Sequence, residues 1–142
     1  HKNLNIKINS KDGKEITGGF SLNVGNPHVV FFVEDIDKFN LNELGPKIEN
    51  HNYFPQKCNV TIAKVENTAN VKVKVWERGV GLTKACGTAA CATAVAASIK
   101  KLTENNINIK FQEGILNIRI DESLNIFMKG SVSSIKNIKI KI

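Results

Sequence analysis

The sequence has little of what a metal site, a disulfide scaffold or a membrane segment requires. Its 142 residues include three cysteines, three histidines, one methionine and one tryptophan. Three cysteines cannot all pair, and their spacing matches no zinc motif such as CxxC or HExxH. The Ala-rich run from Ala85 to Ile99 is shorter than the roughly 20 residues that a membrane-spanning helix needs. We therefore expect no metal, no disulfide and no membrane span, and we expect a reducing, cytoplasmic location.

Aromatic residues and arginines are also scarce, although the chain is basic. The net charge is +7, aromatics make up 6%, and only Arg78 and Arg119 among the 20 basic residues are arginines. The lysines are scattered along alternating segments such as Val71–Val75, which is typical of solvated strand faces. Nucleic-acid binders more often gather basic residues in one stripe with interleaved aromatics. The composition thus argues against a nucleic-acid partner.

The apolar pattern predicts many strands and two helices. Period-2 alternation or short apolar runs predict strands over 4–8, 20–24, 29–33, 58–65, 71–76, 107–111, 115–120, 124–129 and 135–142. Asp12-Gly13 is a hairpin signal, and the run Val29–Val33 is typical of a strand buried on both faces. Helical spacing predicts a helix within Asn40–His51, capped by an Asn, which Pro46 is expected to split or delay.

The second predicted helix, from Gly87 to Lys101, decides the fold class. Small and mostly apolar residues occupy every side of it, and a helix that is apolar all round is buried all round. We therefore predict one α+β domain, in which a mixed, largely antiparallel sheet wraps around a central buried helix. No repeat, low-complexity tract or flexible linker marks a domain boundary.

Cys86 is the first candidate for chemistry, because it precedes Gly87 and Thr88 where the buried helix begins. Unpaired backbone N–H groups and the helix dipole stabilise negative charge at such a position, which favours a thiolate. Gly87 allows a ligand to approach the backbone, so the same turn could hold a carboxylate. A buried cysteine that merely caps the helix is an equal alternative on these grounds. Cys91, more than a turn inside the helix, is interpreted as a small core residue.

Glu77, Arg78 and His28 are weaker candidates. Glu77 and Arg78 precede a glycine-rich loop, where they could meet a ligand or form a solvated ion pair. His28 follows Asn26-Pro27 and could act as a general base, although a lone histidine is more often structural.

Taken together, these segments closely resemble the C-terminal half of diaminopimelate epimerase. The resemblance covers about Phe20 to Gly130 and rests on three stretches in the family's order and spacing: Gly25-Asn26-Pro27-His28, Cys58-Asn59-Val60, and the run from Trp76 to Ala92 with its ERGVGLTKACGT sequence.

The resemblance implies a cofactor-independent epimerase of two similar halves with the substrate in the cleft between them. One cysteine from each half faces the substrate α-carbon, and the pair interconverts LL- and meso-diaminopimelate by removing and returning a proton, in lysine and peptidoglycan precursor synthesis. Cys86 would be this half's cysteine, and His28 and Glu77 would assist proton movement. The Gly87 and Thr88 amides would hold the α-carboxylate. Four residues would grip the distal end of the substrate: Asn26, Asn59, Glu77 and Arg78.

The second half, with its own cysteine in a CGNG-type motif, is absent from these 142 residues. The start His1-Lys2-Asn3 lacks an initiator Met, so we interpret residues 1–142 as the C-terminal domain of a two-domain enzyme, and we expect this part alone to be inactive. Its partners would be diaminopimelate and the missing half, and a homodimer stays open. Two alternatives remain: another thiol-based racemase or isomerase of this fold, such as the proline racemase or phenazine-isomerase relatives, or a non-catalytic binding module that keeps a half-site.

Overall fold

The structure, a computed structural model of the chain, describes residues 1–84, 86–130 and 138–141. Within them lie ten strands, two α-helices and a 3₁₀ turn at Ile36–Lys38. The strands are β1 (Lys2–Asn9), β2 (Glu15–Asn23), β3 (Pro27–Phe32), β4 (Asn59–Asn67), β5 (Asn70–Glu77), β6 (Gly81–Thr83), β7 (Asn106–Phe111), β8 (Gly114–Ile120), β9 (Asn125–Gly130) and β10 (Ile138–Lys141); the helices are α1 (Leu41–Glu49) and α2 (Gly87–Ile99). Part of the predicted last strand, residues 135–137 and 142, lies outside the described residues.

All ten strands belong to one sheet. Its order is β1-β2-β3-β4-β5-β7-β8-β9-β10, and the short β6 pairs with β5 beside this path. Neighbouring strands run antiparallel except at β3–β4 and β5–β7, which are parallel. Those two parallel pairs are the places where the chain leaves the sheet to form α1 and α2, since parallel neighbours need a crossover connection.

Helix α2 lies at the centre of the wrapped sheet, which confirms the predicted fold class. Its residues from Ala89 to Ala97 are all buried. The core around it draws on β2, β3, β4, β5 and β7 to β9, from Phe20 to Met128. Alanines dominate the helix because small side chains let strands approach it from every side.

Helix α1 covers the opposite face of the sheet and builds a second core. Leu41, Leu44 and Ile48 are buried there against β3 and β4. Asn40 caps the helix, as its side-chain oxygen accepts a hydrogen bond from the Asn42 N–H at 3.0 Å. Pro46 neither splits nor delays α1, contrary to the prediction. It lies inside the helix, where its missing N–H removes one backbone hydrogen bond, and the packing of the apolar side of α1 against the sheet holds the helix together around it.

Strand β3 separates the two cores, as its continuous apolar run predicted. Val30 packs into the core around α2, whereas Val29 and Phe31 pack into the core under α1. Neither of the two α-helices in the described residues is long and apolar enough to cross a membrane.

Candidate active site

Three strand ends and one helix start meet at a single edge of the sheet. Strands β3 and β4 begin there in parallel, with His28 opposite Asn59, and β5 runs antiparallel to β4 and ends there at Glu77. Side chains alternate along each strand. His28, Asn59 and Glu77 therefore lie on the sheet face that covers α2, in line with Val30, Ala63 and Val75 of the α2 core. The sheet thus collects polar side chains beside the first turn of α2.

Cys86 is the residue from which α2 begins. It takes the extended N-cap conformation, with φ −149° and ψ 112°, and makes no side-chain capping bond. Because the first N–H groups of a helix have no acceptor within it, those of Gly87 and Thr88 are free to bind an anion. A Cβ at Gly87 would lie 3.0 Å from the Met128 Cε. The helix start is therefore closely packed on one side.

Exposure distinguishes Cys86 from the other two cysteines. All three are free thiols, but Cys58 and Cys91 are buried, whereas Cys86 is partly exposed. Burial raises the pKa of Cys58 to about 12, with help from the Glu49 carboxylate and against the charge of Arg78. Burial also raises the pKa of Cys91 to about 11, with a smaller contribution from Cys86. Both buried cysteines therefore stay protonated at neutral pH, and Cys86 is the thiol available for chemistry.

A chain of polar contacts connects His28 to the Cys86 sulfur. The His28 Nε2 lies 2.9 Å from the Asn26 Oδ1, the Asn26 Nδ2 lies 3.5 Å from the Thr88 Oγ1, and the Thr88 Oγ1 lies 3.6 Å from the Cys86 Sγ. Since the Asn26 amide nitrogen donates to Thr88, its oxygen accepts from a protonated Nε2. The Thr88 hydrogen is then free to point at the sulfur. Asn26 and Thr88 can thus each donate along these contacts toward Cys86, where a hydroxyl can stabilise negative charge.

His28 is a deeply buried, neutral residue in this chain. Its side chain is 1% exposed, and its Nδ1 has no hydrogen-bond partner among the described residues. Burial, aided by the nearby charge of Arg78, lowers the pKa of His28 to about 4. At neutral pH the ring therefore carries one proton, on the nitrogen that faces Asn26. The part assigned to His28 in proton movement stays a prediction, and the geometry supports a donor that orients Asn26.

The lowered pKa of His28 predicts a loss of stability in mild acid. The unfolded chain takes up a proton on this residue near pH 6.5, whereas the folded chain does so only near pH 4, so protons favour the unfolded state between these values. We expect the free energy of unfolding to fall by about 1 kcal/mol between pH 7 and pH 5.5, measured by urea denaturation. The His28→Gln variant should lack this slope and His51→Gln should keep it; equal slopes in all three proteins would contradict the prediction.

Asn59 anchors the residues that follow β5. Its side chain is buried, donates to the Pro27 carbonyl at 3.1 Å and accepts from the Arg78 backbone N–H at 2.7 Å. The Arg78 guanidinium is half-buried and donates through Nη1 to the Gln56 carbonyl at 3.3 Å. Asn59 therefore ties the start of β3 to the loop that bears Arg78, and most of the guanidinium donors have no partner among the described residues.

Glu77 is brought to the same edge, but its side chain makes no hydrogen bond or ion pair with the other predicted site residues. Its carboxylate has no hydrogen bond or ion pair with any described residue, although its backbone pairs with Gly81. A cavity of about 550 Å³ opens elsewhere, beside Leu82 and Phe111, and none of the predicted site residues lines it. His28 borders a second cavity, of about 410 Å³. Nowhere in the described ranges do three His, Cys, Asp or Glu side chains come together as they would around a metal ion.

Sequence reasoning did not single out Glu49. The residue is 8% exposed, and its Oε1 accepts the Trp76 indole N–H at 2.9 Å. A signal was present, because Glu49 falls on the same helical stripe as Leu41, Leu44 and Ile48. An acidic residue on an apolar stripe predicts a buried partner.

Comparison with known proteins decides the family. Residues 20–135 match the family model described as diaminopimelate epimerase. The chain belongs to the diaminopimelate epimerase family. The matched segment holds every residue assigned above to the site, from Asn26 to Thr88.

The family relatives are about twice as long as this chain. The diaminopimelate epimerase of Pelagibacter ubique is 60% identical over 141 residues, which are 99% of this chain and 52% of the relative. That of Erythrobacter litoralis is 47% identical over 116 residues, 82% of this chain and 43% of the relative. The chain spans about half the length of the curated relatives that it matches.

A solved structure shares the fold at low identity. A phenazine biosynthesis protein of the PhzF family from Bacillus anthracis superposes with a TM-score of 0.53 and 21% identity over 76% of this chain and 35% of that one. This likeness concerns the fold alone.

Proposed function

We propose that this chain is one half of a diaminopimelate epimerase, and that Cys86 is one of the two groups that move the α-proton. In this reaction one thiolate removes the proton from one face of the α-carbon, and a thiol on the other face delivers a proton to the resulting carbanion. Cys86 provides the thiol group at one face of the α-carbon, and a cysteine of the other half provides the thiol group at the opposite face. The first thiolate ends the step as a thiol and the second thiol as a thiolate, so the protons balance and the reaction needs no cofactor.

The position of Cys86 supports this proposal most strongly. It is the only one of the three cysteines that is partly exposed, and it lies where helix N–H groups and the Thr88 hydroxyl converge. A substrate whose α-carboxylate is bound by the Gly87 and Thr88 amides would have its α-carbon next to the Cys86 sulfur. Asn26, Asn59, Glu77 and Arg78 lie within the same sheet edge, where they could bind the distal end of the substrate.

A hybrid enzyme tests the proposal. In it, this chain replaces the matching 141 residues of the Pelagibacter ubique relative, which supplies the rest of the protein. We expect the hybrid to convert LL- to meso-diaminopimelate and, in heavy water, to place one deuterium on the α-carbon of each product molecule. A folded hybrid that binds diaminopimelate without turnover would favour the binding module. Turnover of a monocarboxylic amino acid in preference to diaminopimelate would favour another racemase of this fold.

The 142-residue chain alone should not epimerise diaminopimelate. Half of a two-base site can exchange a proton on one face at most, and the other half no longer positions the substrate. The measurement is conversion of LL- to meso-diaminopimelate by purified chain, with circular dichroism as the check that the chain is folded. Sustained conversion by the folded chain would show that the site needs no second half.

The proposed function also implies a cellular location and binding partners for the chain. A metabolic enzyme that depends on free thiols suits a reducing cytoplasm, so we propose that location. Its partners would be diaminopimelate and the other half of the enzyme. Adding increasing amounts of a separately produced second half to this chain would test the second partner, and we expect epimerase activity to be recovered.

A further inference from the structure

A buried contact behind the site connects α1 to the residues predicted to bind the substrate. Trp76 immediately precedes Glu77 and Arg78 at the end of β5. Its indole N–H donates to the Glu49 carboxylate at the last turn of α1, at 2.9 Å. Glu49 is the one charged residue among the buried residues that the structure describes.

The indole ring is held on two sides by glycines. A Cβ at Gly45, one turn before Glu49 on α1, would come within 2.4 Å of the Trp76 Cγ and Cδ2. A Cβ at Gly81, in the paired strand β6, would lie 3.6 Å from the Trp76 Cη2. The ring therefore lies directly against the α1 backbone and beneath the loop that carries Arg78. The hydrogen bond to Glu49 fixes the rotation of the ring within this slot.

Stability alone does not account for a carboxylate at this position. Burying an ionisable group costs free energy, and an apolar side chain of similar size is often as stable or more so. The Glu49 carboxylate instead holds the residue that immediately precedes Glu77 and Arg78, so Glu49 is coupled to the Arg78 loop through the indole.

We propose that Glu49 is a positioning residue, which orients Glu77 and Arg78 through the Trp76 indole and thereby sets the affinity for the distal end of the substrate. This inference rests on the proposed function. It assigns Glu49 no contact with the substrate, so its loss should weaken binding and leave the proton-transfer step largely intact.

Glu49→Leu and Glu49→Gln in the hybrid enzyme test the role. Leucine removes the acceptor, and we expect KM for LL-diaminopimelate to rise about tenfold while kcat changes by less than about threefold. Glutamine keeps a carbonyl acceptor for the indole, so KM should return to within about twofold of the unaltered hybrid. Glu104→Leu, a matched change at an exposed glutamate, should leave both constants unchanged.

Trp76 provides a spectroscopic signature because it is the only tryptophan in the 142-residue chain. Its emission maximum should shift in Glu49→Leu and return in Glu49→Gln. Trp76→Phe keeps an aromatic ring, smaller than the indole and without its N–H, and it should raise KM as Glu49→Leu does. This variant decides the question if Glu49→Leu fails to fold.

The outcomes separate the two proposals. If the unaltered hybrid turns over and both Glu49→Leu and Trp76→Phe keep its KM, the positioning role is overturned while the proposed function stands. A fall in thermal stability with unchanged KM has the same meaning, because a purely structural residue would behave so. If the unaltered hybrid shows no turnover, the proposed function fails and the role of Glu49 fails with it.

Discussion

Replacing Cys86 with serine in the hybrid enzyme should lower kcat for epimerisation by about 10³-fold or more. A general acid or base contributes on the order of 10² to 10⁴-fold, and a serine hydroxyl is far too weak an acid to replace a thiol at neutral pH. The change is nearly isosteric at a partly exposed position, so we expect the protein to remain folded. The measurement is the rate of LL- to meso-diaminopimelate conversion, with the melting temperature recorded on the same samples.

The two buried cysteines supply the matched controls. Cys91→Ala and Cys58→Ala also remove a thiol, but both thiols are buried and protonated, with their pKa values raised to about 11 and about 12. We expect these variants to lose stability and to keep kcat within about threefold. If Cys86→Ser retains kcat within tenfold of the unaltered hybrid, Cys86 is not a proton donor or acceptor in the reaction.

The central helix shows what the sequence could reveal about the fold. Small apolar residues on every side of α2 predict burial on every side, and the structure places Ala89–Ala97 fully inside the sheet. The continuous apolar run of β3 likewise predicts a strand between two cores. In both cases the information is local, because the side chains of a single segment already report their surroundings.

Contacts between segments that are distant along the chain could not be predicted from the sequence in this way. Trp76 and Glu49 are 27 residues apart, and their hydrogen bond depends on how α1 lies across β5. Nothing in either segment specifies that crossing. Strand β6 was missed because three residues are too few to show a period. The effect of Pro46 was overestimated because the prediction considered the helix by itself, whereas in the fold the buried apolar side of α1 offsets the lost hydrogen bond.

The site, like the fold, could be predicted from the sequence only in part. The helix-start argument made Cys86 a candidate on equal terms with a capping cysteine, and the resemblance to the family favoured the catalytic alternative and named the other site residues. Burial of His28 could not be foreseen, because it arises from β4 beside it and α2 above it. That burial decides the protonation state of the ring. Motifs therefore named the candidate residues, whose roles stay predictions, and packing determines the protonation state of His28.

Arg78→Lys in the hybrid enzyme should reduce kcat/KM for LL-diaminopimelate by about 30-fold, equivalent to about 2 kcal/mol of transition-state stabilisation. One guanidinium N–H is used by the Gln56 carbonyl, and the remaining donors can grip a carboxylate through two parallel hydrogen bonds. A lysine ammonium cannot reproduce that planar fork. It does keep the positive charge, so the electrostatic effect of this position on His28 is preserved. The substitution thus tests geometry separately from charge.

The penalty should depend on the distal carboxylate of the substrate. We expect kcat/KM for an amino acid without that group, such as lysine, to be low in the unaltered hybrid and to change less than about threefold in Arg78→Lys, since the fork then has nothing to bind. The chain offers a matched control in Arg119, its only other arginine, whose guanidinium lies over the Phe127 ring at 4.2 Å. Arg119→Lys should leave kcat/KM unchanged for both substrates. An equal loss for both substrates in Arg78→Lys would mean that Arg78 supports the loop and does not read the distal carboxylate.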